Sequence, residues 1–259
     1  MKIRIISAVA AVTILVVLSS AAFAELTAYQ IAKKAADMDK TKTKTATLTM
    51  TVITEKGNKR TYKFKLWQKE TPKGTQKLVR FLEPADSNGT GLLTQERKGA
   101  EDLQWLFLPS RKASRQIAAA DRSEQFMGSD LFMEDMGTLN PDNFDHKLLE
   151  KTNFDGAECY VIESTPKPTY NSAYGKTKIW VDQQTFATRK IELYNKSGTL
   201  WKTAHNTSIE QISGVWTYRN LEMIKAGAKV GKTTLDLADI QYNTDIPDRY
   251  FTKEFLESY

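Results

Sequence analysis

Residues 103–136, LQWLFLPSRKASRQIAAADRSEQFMGSDLFMEDM, carry two strand patterns followed by a covering element, and the rest of the chain orders itself around them. The apolar run Leu103–Leu108 reads as a strand that Pro109 breaks. Arg111, Ala113, Arg115 and Ile117 then recur at period two, so a second strand would place both arginines on one face. Gly128-Ser129-Asp130 is a helix-start signal in which Ser129 caps and Asp130 meets the positive end of the helix dipole. On the short helix that should follow, Phe132, Met133 and Met136 share one face, while Asp130 and Glu134, four apart, share another. Such a segment serves either as an amphipathic flap or as a simple cap on a core.

Upstream, Ala46, Leu48, Met50 and Val52 alternate with Thr45, Thr47, Thr49 and Thr51, the pattern of a strand buried on one face. Tyr62, Phe64 and Leu66 alternate in the same way with Thr61, Lys63 and Lys65, and turn residues at 55–58 and 71–74 bound this strand. Before both, Thr27 can cap a helix over 28–38. Downstream, strand patterns at 147–151, 159–164, 177–182, 187–194, 200–209, 216–226 and 232–242 are separated by turn signals such as Asp155-Gly156 and Ser213-Gly214. A short helix over 252–257 ends the chain.

Ten or more antiparallel strands must curl into a barrel, split into two packed sheets, or leave a wide groove. A curved sheet that does not close needs a cover, and the candidates are the helix at 28–38 and the Phe132 segment. The spacing predicts an apolar cavity lined in part by Leu48, Met50, Tyr62, Phe64 and Leu66, with Trp105 and Phe107 from the next apolar run. Phe132, Met133 and Met136 would close it. Weak ion pairs from Arg111, Arg115 or Arg122 to Asp130 and Glu134 would latch the flap.

The first 24 residues have the layout of an export signal: Lys2 and Arg4, an apolar run at 5–18, and the cleavage pattern Ala22-Phe23-Ala24. Their removal leaves 235 of 259 residues, read as one domain over 25–259. Glu25, not a cysteine, would follow the cut, so the mature chain should carry no lipid of its own. The formal charge of +6 falls to +4 without Lys2 and Arg4, and the basic residues alternate with threonine as on a solvated sheet face, which argues against nucleic acid. The single cysteine, Cys159, reads as a buried inert thiol. His146 and His205 stand apart, so no metal site, cofactor or hydrolytic triad is flagged. Residues 227–233 resemble a phosphate-binding loop but are one residue short of its spacing and lead into a strand pattern, which excludes that cradle.

Three blocks together resemble the outer-membrane lipoprotein-sorting protein family, which is grouped with the periplasmic carrier LolA and the receptor LolB. They are Pro84 with Gly91-Leu92-Leu93; Trp105-Leu106-Phe107-Leu108-Pro109-Ser110-Arg111 with Arg115-Gln116-Ile117; and Phe126-Met127-Gly128-Ser129-Asp130 with Glu134-Asp135-Met136. The resemblance implies a mainly β fold, a strongly curved antiparallel sheet forming an incomplete, half-open β-barrel with a few covering helices. It also implies a non-enzymatic, monomeric periplasmic carrier that binds acyl chains of lipids or lipoproteins and shuttles them between inner and outer membranes. Its partners would be an inner-membrane transporter of ABC or RND type and an outer-membrane acceptor. An accessory subunit that binds hydrophobic substrates for an RND-type exporter is the alternative, and a secreted hydrolase is the third reading. Arg111, Arg115, Asp130 and Glu134 are the candidates for lid or partner contacts.

Overall fold

The computed structural model describes residues 25–97, 100–137 and 140–258; the expected export signal at 1–24 lies outside the described residues. A helix, α1 (Ala28–Ala36), leads into β1 (Thr43–Ile53), β2 (Lys59–Thr71), β3 (Gly74–Glu83), β4 (Gly91–Gln95), β5 (Leu103–Leu108) and β6 (Ala113–Gln116). The second half comprises β7 (Phe144–Phe154), β8 (Ala157–Pro166), β9 (Lys176–Asp182), β10 (Thr188–Tyr194), β11 (Leu200–Ile212), β12 (Val215–Lys225) and β13 (Lys232–Tyr242), and ends in α2 (Lys253–Glu257). All the strands belong to one antiparallel sheet, ordered β6-β5-β4-β3-β2-β1-β13-β12-β11-β10-β9-β8-β7. Two meanders are therefore joined where β1 pairs with β13, and β6 and β7 remain as the two open edges. The barrel is incomplete, as the resemblance implied.

The sheet is strongly curled. At about 4.8 Å between strands, β5 and β10 would lie roughly 38 Å apart on a flat sheet. Yet Leu106 of β5 and Leu193 of β10 belong to one buried cluster. Period two selects the face that makes this cluster: Leu48 lies opposite Phe64 of β2 and Leu237 of β13, and Met50 opposite Tyr62 and Leu235. Met50, Phe64 and Phe81 are fully buried there.

The outer face is covered differently. Ile246, Phe251 and Leu256, from the chain after β13, pack on Leu78, Leu93 and Phe107. Arg80 secures this strap by donating to the carbonyls of Gly89, Phe255 and Leu256 at 2.9–3.0 Å. α2 thus supports the outside of the curl and does not cover the groove. Trp105 and Phe107 go with it: Leu106 is opposite Leu92 in the inner cluster, so its two neighbours point outward, away from the predicted cavity. A run apolar at every position carries no phase, and the register with β4 decides it.

α1 begins as its sequence suggests, with Thr27 Oγ1 accepting from the Gln30 N–H and Gln30 Oε1 from the Thr27 N–H. It ends two residues earlier than predicted, at Ala36, and lays Ile31 and Ala32 against Ile162, Ile179 and Val181. The expected second strand also shortens. Arg111 sits in a 3-10 turn, Pro109–Arg111, and Lys112 closes that turn in the left-handed region at φ 49°. Only Ala113–Gln116 pairs with β5, so Arg111 and Arg115 do not share a strand face.

Because β6 and β7 are opposite edges of the sheet, the chain between Gln116 and Phe144 has to travel from one edge to the other. It does so across the open inner face, and the sheet holds it along the way. Tyr62 Oη of β2 donates to the Met127 carbonyl at 3.2 Å, and Gln104 Nε2 of β5 to Met133 at 3.2 Å. From the other meander, Lys202 Nζ of β11 donates to the Asp130 carbonyl at 2.6 Å, and Thr233 Oγ1 of β13 accepts from the Asp130 N–H at 2.9 Å. The topology alone therefore demands a crossing segment, and this one plugs the groove.

Candidate functional site

The crossing segment is not the short helix that its start signal suggests. Met127 (φ 51°) and Gly128 (φ 70°) both take the left-handed conformation, and the Ser129 N–H closes the turn on the Phe126 carbonyl. Two successive left-handed residues reverse an extended chain. A small hairpin results, in which Phe126 N–H donates to Leu131 O, Met133 N–H to Glu124 O, and Gln125 pairs with Phe132. Ser129 still caps, but it caps this turn: its hydroxyl donates to Phe126 O and accepts from the Leu131 N–H. Helical structure is confined to one 3-10 turn, Glu134–Met136. Phe132 and Met133 are buried in the inner cluster and Met136 packs against it.

The acidic residues of this segment pair with the far meander. Asp130 is 3.1 Å from Lys225 Nζ and accepts from Thr233 Oγ1, and Glu134 accepts from Ser172, Tyr170 and the Ala173 N–H. None of Arg111, Arg115 and Arg122 is ion-paired to either one. Arg115 pairs with Asp121 and Glu124; Arg122 stacks over Tyr170, donates to Asn171 O and lies 3.9 Å from Glu101, and it reaches Glu134 only as a longer-range attraction. The predicted latch fails because the crossing segment carries its carboxylates past the arginines to lysines and hydroxyls on the opposite side.

Beneath the plug lies a residue that the sequence reading missed. Lys202 is fully buried, with its ammonium 3.0 Å from the Phe132 ring centroid, 3.3 Å from Tyr174 Oη and 3.9 Å from Asp135. Burial pulls its pKa down to about 8, against the upward pull of Asp135 and Asp130. Burial likewise raises Asp135, which Lys202 and hydrogen bonds from the Phe132 N–H and Tyr174 Oη offset. The signal was present: Lys202 is in phase with Ala204 on the inward face of β11.

Next to the plug a cavity of about 540 Å³ remains, bounded by α1, the inner faces of both meanders and residues 131–137. Of the residues predicted to line it, Leu48, Phe64, Leu66 and Met136 do so; Met50, Tyr62, Phe132 and Met133 pack in the cluster beneath. Leu193, Leu221 and Leu237 extend the apolar wall on the other side. Its size falls within the usual 300–1,000 Å³ of small-molecule sites. The wall is graded. Beyond the leucines, the register aligns Lys44, Gln68, Lys77, Thr94 and Gln104 in one polar row across β1 to β5. Glu70 and Thr75 begin the next row, with Glu96 bonded to the Thr75 N–H.

Asp102, just before β5, also has a perturbed carboxyl: burial lifts it to about 6. A carboxyl raised above its unfolded value of 3.8 contributes stability below that value and loses it as pH rises through 6. Asp102→Asn should therefore stabilise the protein by about 1–2 kcal/mol at pH 7.5, a gain that shrinks at pH 4. Urea unfolding at the two pH values measures it; an unchanged or lowered midpoint at pH 7.5 would refute the assignment.

The two histidines have structural roles. His146 bonds Ser164 Oγ and the Pro141 carbonyl, and His205 stacks on Phe154, with burial lowering its pKa. Among the described residues no group of three His, Cys, Asp or Glu is arranged to hold a metal. Cys159 is buried, and burial raises its thiol pKa.

A family model described only as an uncharacterized protein matches residues 73–258. Among curated proteins, nothing matches the sequence. Among solved structures, a DUF1329 family protein from Desulfovibrio piger is 28% identical with a TM-score of 0.84, the match covering 88% of this chain and 97% of that one. A candidate outer membrane lipoprotein-sorting protein domain from Vibrio parahaemolyticus is 26% identical with a TM-score of 0.83, covering 89% and 98%. A LolA superfamily protein from Nitrosomonas europaea shares the fold at 24% identity and a TM-score of 0.73, covering 89% and 100%.

Proposed function

We propose a function from the premise that this chain belongs to the family matched over residues 73–258, within the LolA-like, lipoprotein-sorting group: it is a carrier that shelters acyl chains. The observation that carries this reading is the 540 Å³ apolar cavity on the inner face of the unclosed sheet. Each methylene taken out of water contributes about 0.8 kcal/mol, so a 16-carbon chain exposed in an aqueous compartment costs roughly 12 kcal/mol. A groove walled by leucines and floored by Phe64 offsets that cost without any chemistry on the cargo. The compartment is the periplasm, by the expected export signal, and no helix among the described residues is long and apolar enough to cross a membrane. The route runs between the inner and outer membranes, with lipids or lipoproteins as cargo. Release is the other half of the task, and Met136 at the cavity wall supplies an adaptable contact that fits varied chains without holding one too specifically.

Delipidated protein titrated with a fluorescent fatty-acid probe should show saturable binding. Leu221 is half-buried on the cavity wall, so Leu221→Glu places a carboxylate beside the chain without removing a core residue. Its affinity for the probe should fall about tenfold or more. No saturable binding to the native chain, or equal affinity in the variant, would overturn the carrier reading.

A further inference from the structure

Among the described residues, the lysines that line the cavity are ion-paired, Lys77 excepted. Lys33 lies 3.3 Å from Asp37, Lys40 lies 3.2 Å from Glu70, and Lys44 lies 2.6 Å from Asp39. Glu96 accepts the Thr75 N–H at 2.8 Å. Lys77, on the inward side of β3 at the border between the leucine wall and the polar row, has no such counter-charge. Its ammonium gives one hydrogen bond, to the Gly137 carbonyl at 2.9 Å, and among the described residues no carboxylate oxygen lies within 4.0 Å. An ammonium carries three donors, so two remain for whatever occupies the cavity. Burial lowers its pKa further than the surrounding carboxylates restore it, which means that its charged form is undercompensated where it stands.

We propose that the cavity takes an amphiphile with an anionic oxygen head group, a carboxylate or phosphate on an acyl chain, and that Lys77 binds the head. The inference rests on the carrier reading and assigns the orientation of the cargo within it. The tail lies along Leu66, Val79 and Leu237, and the head stops at the polar row, where Gln68, across from Lys77 in register, offers an amide donor. Of the carboxylates that line the cavity, Asp37, Asp39 and Glu70 are neutralised by lysines, while Glu96 is held by the Thr75 N–H and Glu134 by Ser172, Tyr170 and the Ala173 N–H. A hydrogen bond between ionised partners is about twice as strong as a neutral one, and stronger where water is excluded.

Three probes of equal chain length separate the terms: a 16-carbon fatty acid, a 16-carbon alkyl phosphate, and the methyl ester of the same acid. Inorganic phosphate alone is the fourth arm. The native chain should prefer the acid and the phosphate over the ester by about tenfold or more, and free phosphate should not compete. Lys77→Met, close in volume but uncharged, should bind the ester as the native chain does and lose the preference, whereas Lys77→Arg should keep it. Undiminished ester binding also reports that Lys77→Met is folded. Equal affinity of the native chain for acid, phosphate and ester would overturn the head-group assignment and leave the carrier reading standing. So would an unchanged preference in Lys77→Met, or competition by free phosphate as strong as by the alkyl phosphate. Failure of all three amphiphiles to bind the native chain would overturn both.

Discussion

Asp135→Asn is expected to destabilise the protein by about 3 kcal/mol, because removing one member of a buried charge pair leaves the other uncompensated. Asparagine keeps the size of the side chain and can still accept from the Phe132 N–H, so the loss isolates the charge. The stranded group is Lys202, fully buried among Phe132, Tyr174 and Trp201. Adding Lys202→Met should restore most of the lost stability, since a methionine of similar length fills the aromatic pocket without a charge. The pH dependence has a definite sign. Lys202 titrates near 8 in the fold against 10.5 unfolded, so the unfolded chain binds more protons between these values and stability rises with pH across that window. Tyrosines raised by burial work in the opposite direction at still higher pH, so the informative quantity is the gap between native chain and Lys202→Met. That gap should move by up to about 3 kcal/mol in favour of the native chain between pH 7.5 and pH 10. Denaturant unfolding of the single and double variants is the measurement. If Asp135→Asn costs under about 1 kcal/mol, or Lys202→Met fails to rescue it, the buried pair does not tie the crossing segment to β11.

Strand content was legible because period two is local. The alternation from Ala46 to Val52 and from Tyr62 to Leu66 fixes which face is buried, and the inner cluster contains those side chains. The sheet order was not legible, and it matters more. Nothing in the sequence says that β1 pairs with β13, which leaves β6 and β7 as edges and sends residues 117–137 across the groove. The sequence identified this segment as a cover but gave it the wrong conformation. Gly128 before Ser129 and Asp130 fits a helix start, and it fits equally well the second residue of a tight reversal; the hairpin bonds between 124 and 133 decide for the reversal. The latch failed for a related reason. Ion-pair reasoning along the chain finds arginines near Asp130 in sequence, whereas the fold brings Lys225 and Lys202 from 95 and 72 positions away. Lys77 and Lys202 escaped notice because a lysine in a strand reads by default as solvated. Their inward phase was the available warning.

Phe132→Ala should then cost far more than Asp130→Asn, about 3–5 kcal/mol against less than about 1. Phe132 is nearly fully buried, stacked on Tyr174 at 5.7 Å, edge-on to Trp201 at 4.9 Å and under the Lys202 ammonium at 3.0 Å. Its truncation removes the ring that all three groups share and leaves a void the crossing segment cannot fill by collapsing, because that segment is pinned on both sides. Asp130→Asn, in contrast, loses the pair with Lys225, itself about half exposed, and a weaker attraction to Lys202, and it keeps an acceptor for Thr233 Oγ1. The ring of Phe132 therefore holds the plug in place more firmly than the Asp130 pair does. Hydrogen exchange over residues 128–137 shows what that means for the carrier. A lid should gain protection when a fatty acid occupies the cavity, and Phe132→Ala should lower its protection selectively while the strands stay protected. Strong protection with and without lipid, in both the native chain and the variant, would make the segment a fixed plug. The cargo would then have to pass through the mouth beside α1, where Lys77 stands.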